Sequence, residues 1–126
     1  MDDNMMSNAL HQLNSIRTWL FKLDRTGRIV LSITIFYWLS FALDLSITLI
    51  GTALRSYIRE GNPLGFFPGL IMFFIITPFN ILLLHFAELR TSRILIFLIE
   101  FLTFSVALMH LDAAIDNFQL IARLLS

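Results

Sequence analysis

Residues Ile29 to Ile50 read IVLSITIFYWLSFALDLSITLI and hold one charge, Asp44. An α-helix rises about 1.5 Å per residue, so a stretch of this length reaches across a hydrocarbon core of about 30 Å. Two further stretches repeat the pattern. Phe66 to Ala87 (FFPGLIMFFIITPFNILLLHFA) contains no Lys, Arg, Asp or Glu, and Ile94 to Ile115 (ILIFLIEFLTFSVALMHLDAAI) carries Glu100, His110 and Asp112. The competing reading of the third stretch is a buried helix of a soluble core. It is disfavoured because the chain has no polar companion helices to cover such a core.

Composition agrees with a lipid environment. Of 126 residues, 57% are hydrophobic and 14% charged, against about a quarter charged in a soluble domain. Nine Lys and Arg balance nine Asp and Glu, so no net field draws the protein to nucleic acid. The absence of cysteine excludes disulfides, thiolate metal sites and a cysteine nucleophile. The expected fold is all-α: an integral membrane protein with three transmembrane helices preceded by an amphipathic interfacial helix. It divides into an N-terminal helix and turn (1–28), a transmembrane domain (29–117) with spans at about 29–50, 66–87 and 94–115, and a short apolar tail (118–126).

Before the first span, Met6, Ala9, Leu10, Leu13, Ile16 and Leu20 recur at helical spacing, while Asn8, His11, Gln12, Ser15 and Arg17 lie mostly off that stripe. Asp2, Asp3 or Asn4 is placed to cap such a helix. The segment lacks a compact apolar run and a small-residue cleavage site, so it does not read as a secretory signal. Trp19, Phe21 and Lys22 near its end suit a helix lying flat on the membrane; docking on a partner protein is the rival reading. Asp24 to Arg28 supplies a turn into the first span. Arg17, Lys22, Arg25, Arg28, Arg90 and Arg93 outnumber Arg55, Arg59 and Arg123 on the other side. The positive-inside rule therefore puts the N-terminus in the cytoplasm and the C-terminus outside, in a cell (inner) membrane. Phe118, Leu120, Ile121, Leu124 and Leu125 either bend along the outer surface or continue the third helix.

Polar residues within the spans are the most informative, because each is costly in hydrocarbon and faces protein or water. On the first span Tyr37, Ser40, Asp44, Thr48, Gly51 and Arg55 recur at steps of three and four, and so do Glu100, Thr103, Ala107, His110, Ala114 and Asn117 on the third. Ser105, Asp112 and Asp116 form a second line on another face of that helix. Small and hydroxyl residues on such seams are what close helix packing in lipid requires. Counted from the outer ends of their spans, Asp44 and His110 lie at depths of roughly 9 and 8 Å, and Asn80 and Glu100 each lie roughly 10 Å from the inner ends. Two polar layers are expected, an outer one of Asp44 with His110 and an inner one of Asn80 with Glu100. His85 and His110 are separated by roughly 20 Å along the membrane normal and cannot clamp one haem. His110 points away from Asp112 on an ideal helix, so a cation site of His110, Asp112, Asp116 and Glu60 has little support.

The connection Arg59-Glu60-Gly61-Asn62-Pro63-Leu64-Gly65 is dense in turn formers, and Gly65 and Gly69 permit close helix approach at the start of the second span. Pro68 is tolerated near a helix start; Pro78, mid-span, predicts a kink and a freed carbonyl for Thr77 or a neighbour to satisfy. Asp44-Leu45-Ser46-Ile47-Thr48 followed by Glu60-Gly61-Asn62-Pro63 resembles an uncharacterised group of small prokaryotic multi-span membrane proteins with Asp-x-x-x-Thr and Glu-x-Asn-Pro motifs. The resemblance covers Asp44 to Pro63 and implies that Asp44, Thr48, Glu60, Asn62 and Pro63 form one outward-facing cluster.

Three function classes fit these residues. The first is an interaction or accessory subunit of a membrane complex, consistent with the small size, the amphipathic helix and the many Phe residues. The second is an oligomeric ion or small-solute channel or transporter with Asp44, Glu100 and His110 along a polar path. The third is a membrane-embedded enzyme using Asp44, Glu60 or His110, for which no nucleophile–base motif or metal signature is present. Expected partners are the lipid bilayer and other membrane subunits or further copies of the chain, with no nucleic acid. No catalytic, metal or cofactor-binding residue is assigned.

Overall fold

The computed structural model describes residues 2–54 and 66–126. Among the described residues every element is helical: α1 (Asp3–Lys22), α2 (Arg25–Leu54), α3 (Phe66–His85), a short 3-10 turn (Ala87–Thr91) and α4 (Arg93–Leu125). Three helices, Arg25–Leu54, Pro68–His85 and Arg93–Leu125, are long and apolar enough to cross a membrane. The chain is a helical, multi-pass membrane protein. At 30 and 33 residues, α2 and α4 measure about 45 and 50 Å and extend beyond the hydrocarbon at their ends.

The boundaries correct the expected turn and decide between the two courses open to the tail. Asp24 to Arg28 is not a free turn: α2 already begins at Arg25, and the Gly27 N–H donates to Asp24 Oδ1 at 2.7 Å, an N-cap that satisfies a first-turn donor. The apolar tail is not a separate segment, because α4 continues unbroken to Leu125. Nothing there terminates it, since Asp116 to Leu125 contains neither Gly nor Pro.

The spans invert the rule of soluble proteins. Facing one another are Gly27, Val30, Thr34, Tyr37, Ser40, Asp44, Thr48 and Gly51 of α2 and Glu100, Thr103, Val106, Ala107, His110, Ala113, Ala114 and Asn117 of α4, all buried. Leu39, Phe74, Phe97 and Phe101 point outward. Polar groups inside and large apolar groups outside are the arrangement lipid selects, and small residues along the seam let the α2 and α4 backbones approach. These two helices run in the same direction; α3 lies antiparallel beside them. Its contribution is two apolar clusters, Ile76 with Tyr37, Val106 and Ala107, and Leu83 and Leu84 with Val30. α3 passes through Pro78 without interruption. The Thr77 hydroxyl accepts the Trp38 indole N–H at 3.2 Å.

At the end where α2 and α4 begin and α3 stops, called the near end below, Arg90 clasps the spans together. Its Nε donates to Asp24 Oδ1 at 3.2 Å, and its Nη1 donates to the carbonyls of Leu83 and Leu84 at 2.8 and 2.9 Å. Those carbonyls belong to the last turn of α3, which has no helical donor to offer them. Gly27 makes the close approach possible: a Cβ there would come within 2.9 Å of both Asp24 Oδ1 and Leu23 Cδ2. α1 buries no residue. Trp19 tethers it, packing on the Val30–Leu83–Leu84 cluster with its ring 6.3 Å from that of His85.

Candidate functional site

The polar residues of the spans gather in two layers and one separate position. Nearer the α2 start, Asn80 of α3 is fully buried. Its carbonyl oxygen accepts from Thr34 Oγ1 at 3.1 Å, and its amide nitrogen donates to Thr103 Oγ1 at 2.9 Å and to Ile76 O at 3.1 Å. Thr103 also donates to Ile99 O in its own helix, while the single Thr34 hydroxyl proton is shared between Asn80 Oδ1 and Val30 O. One side-chain amide thus cross-links all three spans, using both its donor and acceptor capacity.

Farther along, His110 Nδ1 lies 2.6 Å from Asp44 Oδ2, both side chains being almost fully buried. With Asp44 as a carboxylate, which can only accept, the imidazole carries its proton on Nδ1 and donates it. Thr48 Oγ1 donates to Asp44 Oδ1 at 3.4 Å and accepts from Asn117 Nδ2 at 3.3 Å. The edge of Phe41 meets the His110 ring at 88°, with centroids 5.2 Å apart, and the Tyr37 ring lies 6.1 Å away. Asp44 and His110, at matching depths on their spans, therefore face one another as expected. Between the two layers Tyr37, Ile76, Val106 and Ala107 fill the seam. The Tyr37 hydroxyl there is buried with no hydrogen-bond partner among the described residues.

The expected pairing of Asn80 with Glu100 does not form. Thr34 and Thr103 occupy Asn80, and Glu100 faces another way. Glu100 lines a cleft of about 570 Å³ between α2 and α4, walled by Ile29, Ile33, Phe97, Phe101 and Phe104, with Arg90 and Arg93 at its near end and no residue of α3, and its carboxyl oxygens are buried at the cleft wall. Equal depth did not imply contact, because α3 sits on the opposite side of the α2–α4 seam. Glu100 is 6% exposed, yet neither carboxyl oxygen has a hydrogen-bond partner among the described residues.

His85 and His110 are held apart, the first beside Trp19 and the second beside Asp44. Asp112 and Asp116 are exposed on the lipid-facing or solvent-facing side of α4. Glu60, Asn62 and Pro63 of the connecting loop lie outside the described residues, as do Arg55 and Arg59. Two participants escaped the sequence reading. Thr34 lies one helical step before Tyr37 on the same stripe, so extending the stripe finds it; the Asp24–Arg90 clasp has no periodic signal, since both residues lie between helices. No family model, no curated protein and no solved structure matches the chain.

Proposed function

We propose that the chain is an interaction subunit of a membrane complex, a three-span unit that joins further transmembrane helices through the Glu100 cleft. The observation that carries this reading is the Glu100 carboxyl itself. It is buried at membrane depth, unpartnered within the described chain, and set in a groove that α3 leaves uncovered. A carboxyl in hydrocarbon without a partner costs several kcal/mol, roughly 2.5–3.5 on insertion scales, so a helix that brings a hydrogen-bonding group to it is strongly favoured. The seam between α2 and α4 supports the same reading over a conducting path within one chain, because apolar side chains separate its two polar layers.

In the same proposal the near end faces the cytoplasm of a cell membrane. Arg17, Lys22, Arg25, Arg28, Arg90 and Arg93 all belong to it, and cytoplasmic ends carry the excess of Lys and Arg. α1 then lies on the cytoplasmic leaflet, its exposed Met6, Leu10, Leu13, Ile16 and Leu20 against acyl chains and Arg17 and Lys22 among headgroups.

Purification from native membranes in mild detergent, followed by native mass measurement, tests the function. The expected species is larger than the 14.6 kDa chain and contains at least one further protein chain in fixed ratio. Glu100→Leu is expected to release that chain, and Glu100→Gln, which keeps donor and acceptor, to retain it. A wild-type protein recovered only as a monomer, with Glu100→Leu indistinguishable from it, overturns the reading.

A further inference from the structure

We propose that the corner between α1 and α2 is a binding site for one anionic phospholipid, its phosphate held by Arg17, Arg25 and Arg28. This rests on the reading of α1 as a helix at the membrane surface and names the lipid it takes. Two grooves open in that corner and meet at Arg28, which lines both. One, of about 520 Å³, has Leu13, Ile16, Leu20 and Phe21 of α1 as its apolar wall, with Arg17 beside them. The other, of about 550 Å³, follows α2 from Arg25 past Ile29 to Ile33, and these two isoleucines are a wall shared with the Glu100 cleft. Arg28 is the last charge before an apolar run that stays uncharged until Asp44, so it stands at the level where headgroups meet hydrocarbon.

The charge of the corner is one-sided. Arg17, Arg25 and Arg28 are exposed, and the ion pairs among the described residues are Asp24 with Arg90 and Asp44 with His110. None of the three arginines is therefore neutralised by a carboxylate of the described chain. Asp24, the acidic residue on the groove walls, is already engaged by the Gly27 N–H and by Arg90 Nε. Arg25 and Arg28 are three residues apart and share a side of α2. Arg17 comes from α1 with its guanidinium 5.7 Å from the centre of the Phe21 ring, a contact through the face of the cation that leaves its N–H edge to a ligand. Each guanidinium fork matches two phosphate oxygens. An anionic phospholipid uses charge and apolar walls together: the phosphate at Arg28, one acyl chain beneath the Leu13–Leu20 stripe, the other along Ile29 and Ile33. A zwitterionic lipid would bring a cation of its own among three others, and a soluble phosphate would leave the apolar walls in water. The leaflet that faces the excess of Lys and Arg is also the one rich in anionic lipid. Since α1 buries no residue, a lipid bridging Arg17 to Arg28 joins it to the spans.

The test is native mass measurement of the full chain released from nanodiscs of equimolar phosphatidylglycerol and phosphatidylcholine. The wild type is expected to retain one phosphatidylglycerol per chain. Arg17→Gln and Arg28→Gln are each expected to lower the ratio of retained phosphatidylglycerol to phosphatidylcholine about fivefold, and together about twenty-five-fold. Lys22→Gln removes the same charge from a different groove of α1, beside Trp19, and is expected to leave the ratio unchanged. All three side chains are exposed, so helix content is expected to be the same in every variant. Glycerol phosphate in large excess is expected not to displace the lipid. Displacement by it would show that a soluble anion suffices and overturn the lipid; an equal loss from Lys22→Gln would replace the site with a general attraction to negative surfaces. A wild type that retains both lipids equally, while residues 3–22 are protected from exchange in phosphatidylcholine vesicles, overturns the lipid site and leaves α1 at the membrane surface. Absence of that protection in vesicles of either lipid overturns both.

Discussion

Asp44 and His110 each place a polar group where the surrounding helices offer mainly hydrocarbon, and each has the other within 2.6 Å. Side-chain hydrogen bonds between membrane helices contribute about 0.6 kcal/mol on average and up to about 1.7, and a buried bond to a charged group belongs at the upper end. A double-mutant cycle of Asp44→Ala and His110→Ala, followed by helix content during detergent unfolding, is therefore expected to give a coupling of about 1–2 kcal/mol. Strictly additive effects would show that the pair is an accident of packing. Tyr37 presents the opposite case, since its ring fills the seam while its hydroxyl is buried without a partner among the described residues. An unsatisfied buried hydroxyl costs about 1–3 kcal/mol, so Tyr37→Phe is expected to be neutral or to stabilise by up to about 1 kcal/mol in the same titration. A loss of more than about 1 kcal/mol would mean that the hydroxyl is bonded after all.

Among the elements, the near ends of α2 and α3 depend on Arg90. The Asp24 side chain is more than half exposed, so the ion pair alone contributes less than about 1 kcal/mol. The two bonds to the Leu83 and Leu84 carbonyls come from a guanidinium that is only 7% exposed, and they carry most of the effect. Arg90→Ala is expected to lower stability by about 2 kcal/mol and to speed amide exchange selectively in residues 83–91. Uniform exchange across all three spans would instead indicate global loosening. Gly27→Ala sets two effects against each other. Helix propensity favours Ala by about 1 kcal/mol, whereas the added methyl would press on Asp24 and Leu23 at 2.9 Å and disturb the cap. The cap is worth about 1 kcal/mol and the clasp adds to it, so the substitution is expected to destabilise. For α1, which buries no residue, the proposed interfacial placement expects exchange protection from the bilayer rather than from the spans. Leu13→Gln with Ile16→Gln is expected to remove protection from residues 3–22 in liposomes and to leave the spans unchanged; equal protection in the double variant would show that a protein partner covers α1.

At the scale of the whole molecule, three spans put the two ends of the chain on opposite sides of the membrane. Single cysteines at Asn4 and Ser126, introduced into the cysteine-free chain, are expected to react with an impermeant thiol reagent from opposite faces of sealed vesicles, Asn4 from the cytoplasmic face. Reaction of both from one face would remove a span. The span count, the helical class and the inward-facing stripes were legible in the sequence because hydrocarbon imposes them locally. An apolar run of sufficient length and a polar residue every three or four positions decide them without reference to any other part of the chain. Depth was legible too, since rise per residue is fixed, and it brought Asp44 to His110. The direction in which α3 departs from the α2–α4 seam was not, because it follows from how Ile76, Leu83 and Leu84 pack on Tyr37 and Val30. That lateral choice gave Asn80 to Thr34 and Thr103 and left Glu100 facing a cleft. Sequence periodicity fixed which side chains turn inward and how deep they lie; only tertiary packing decided which of them meet, because position around a bundle is set by neighbours and not by spacing along one helix.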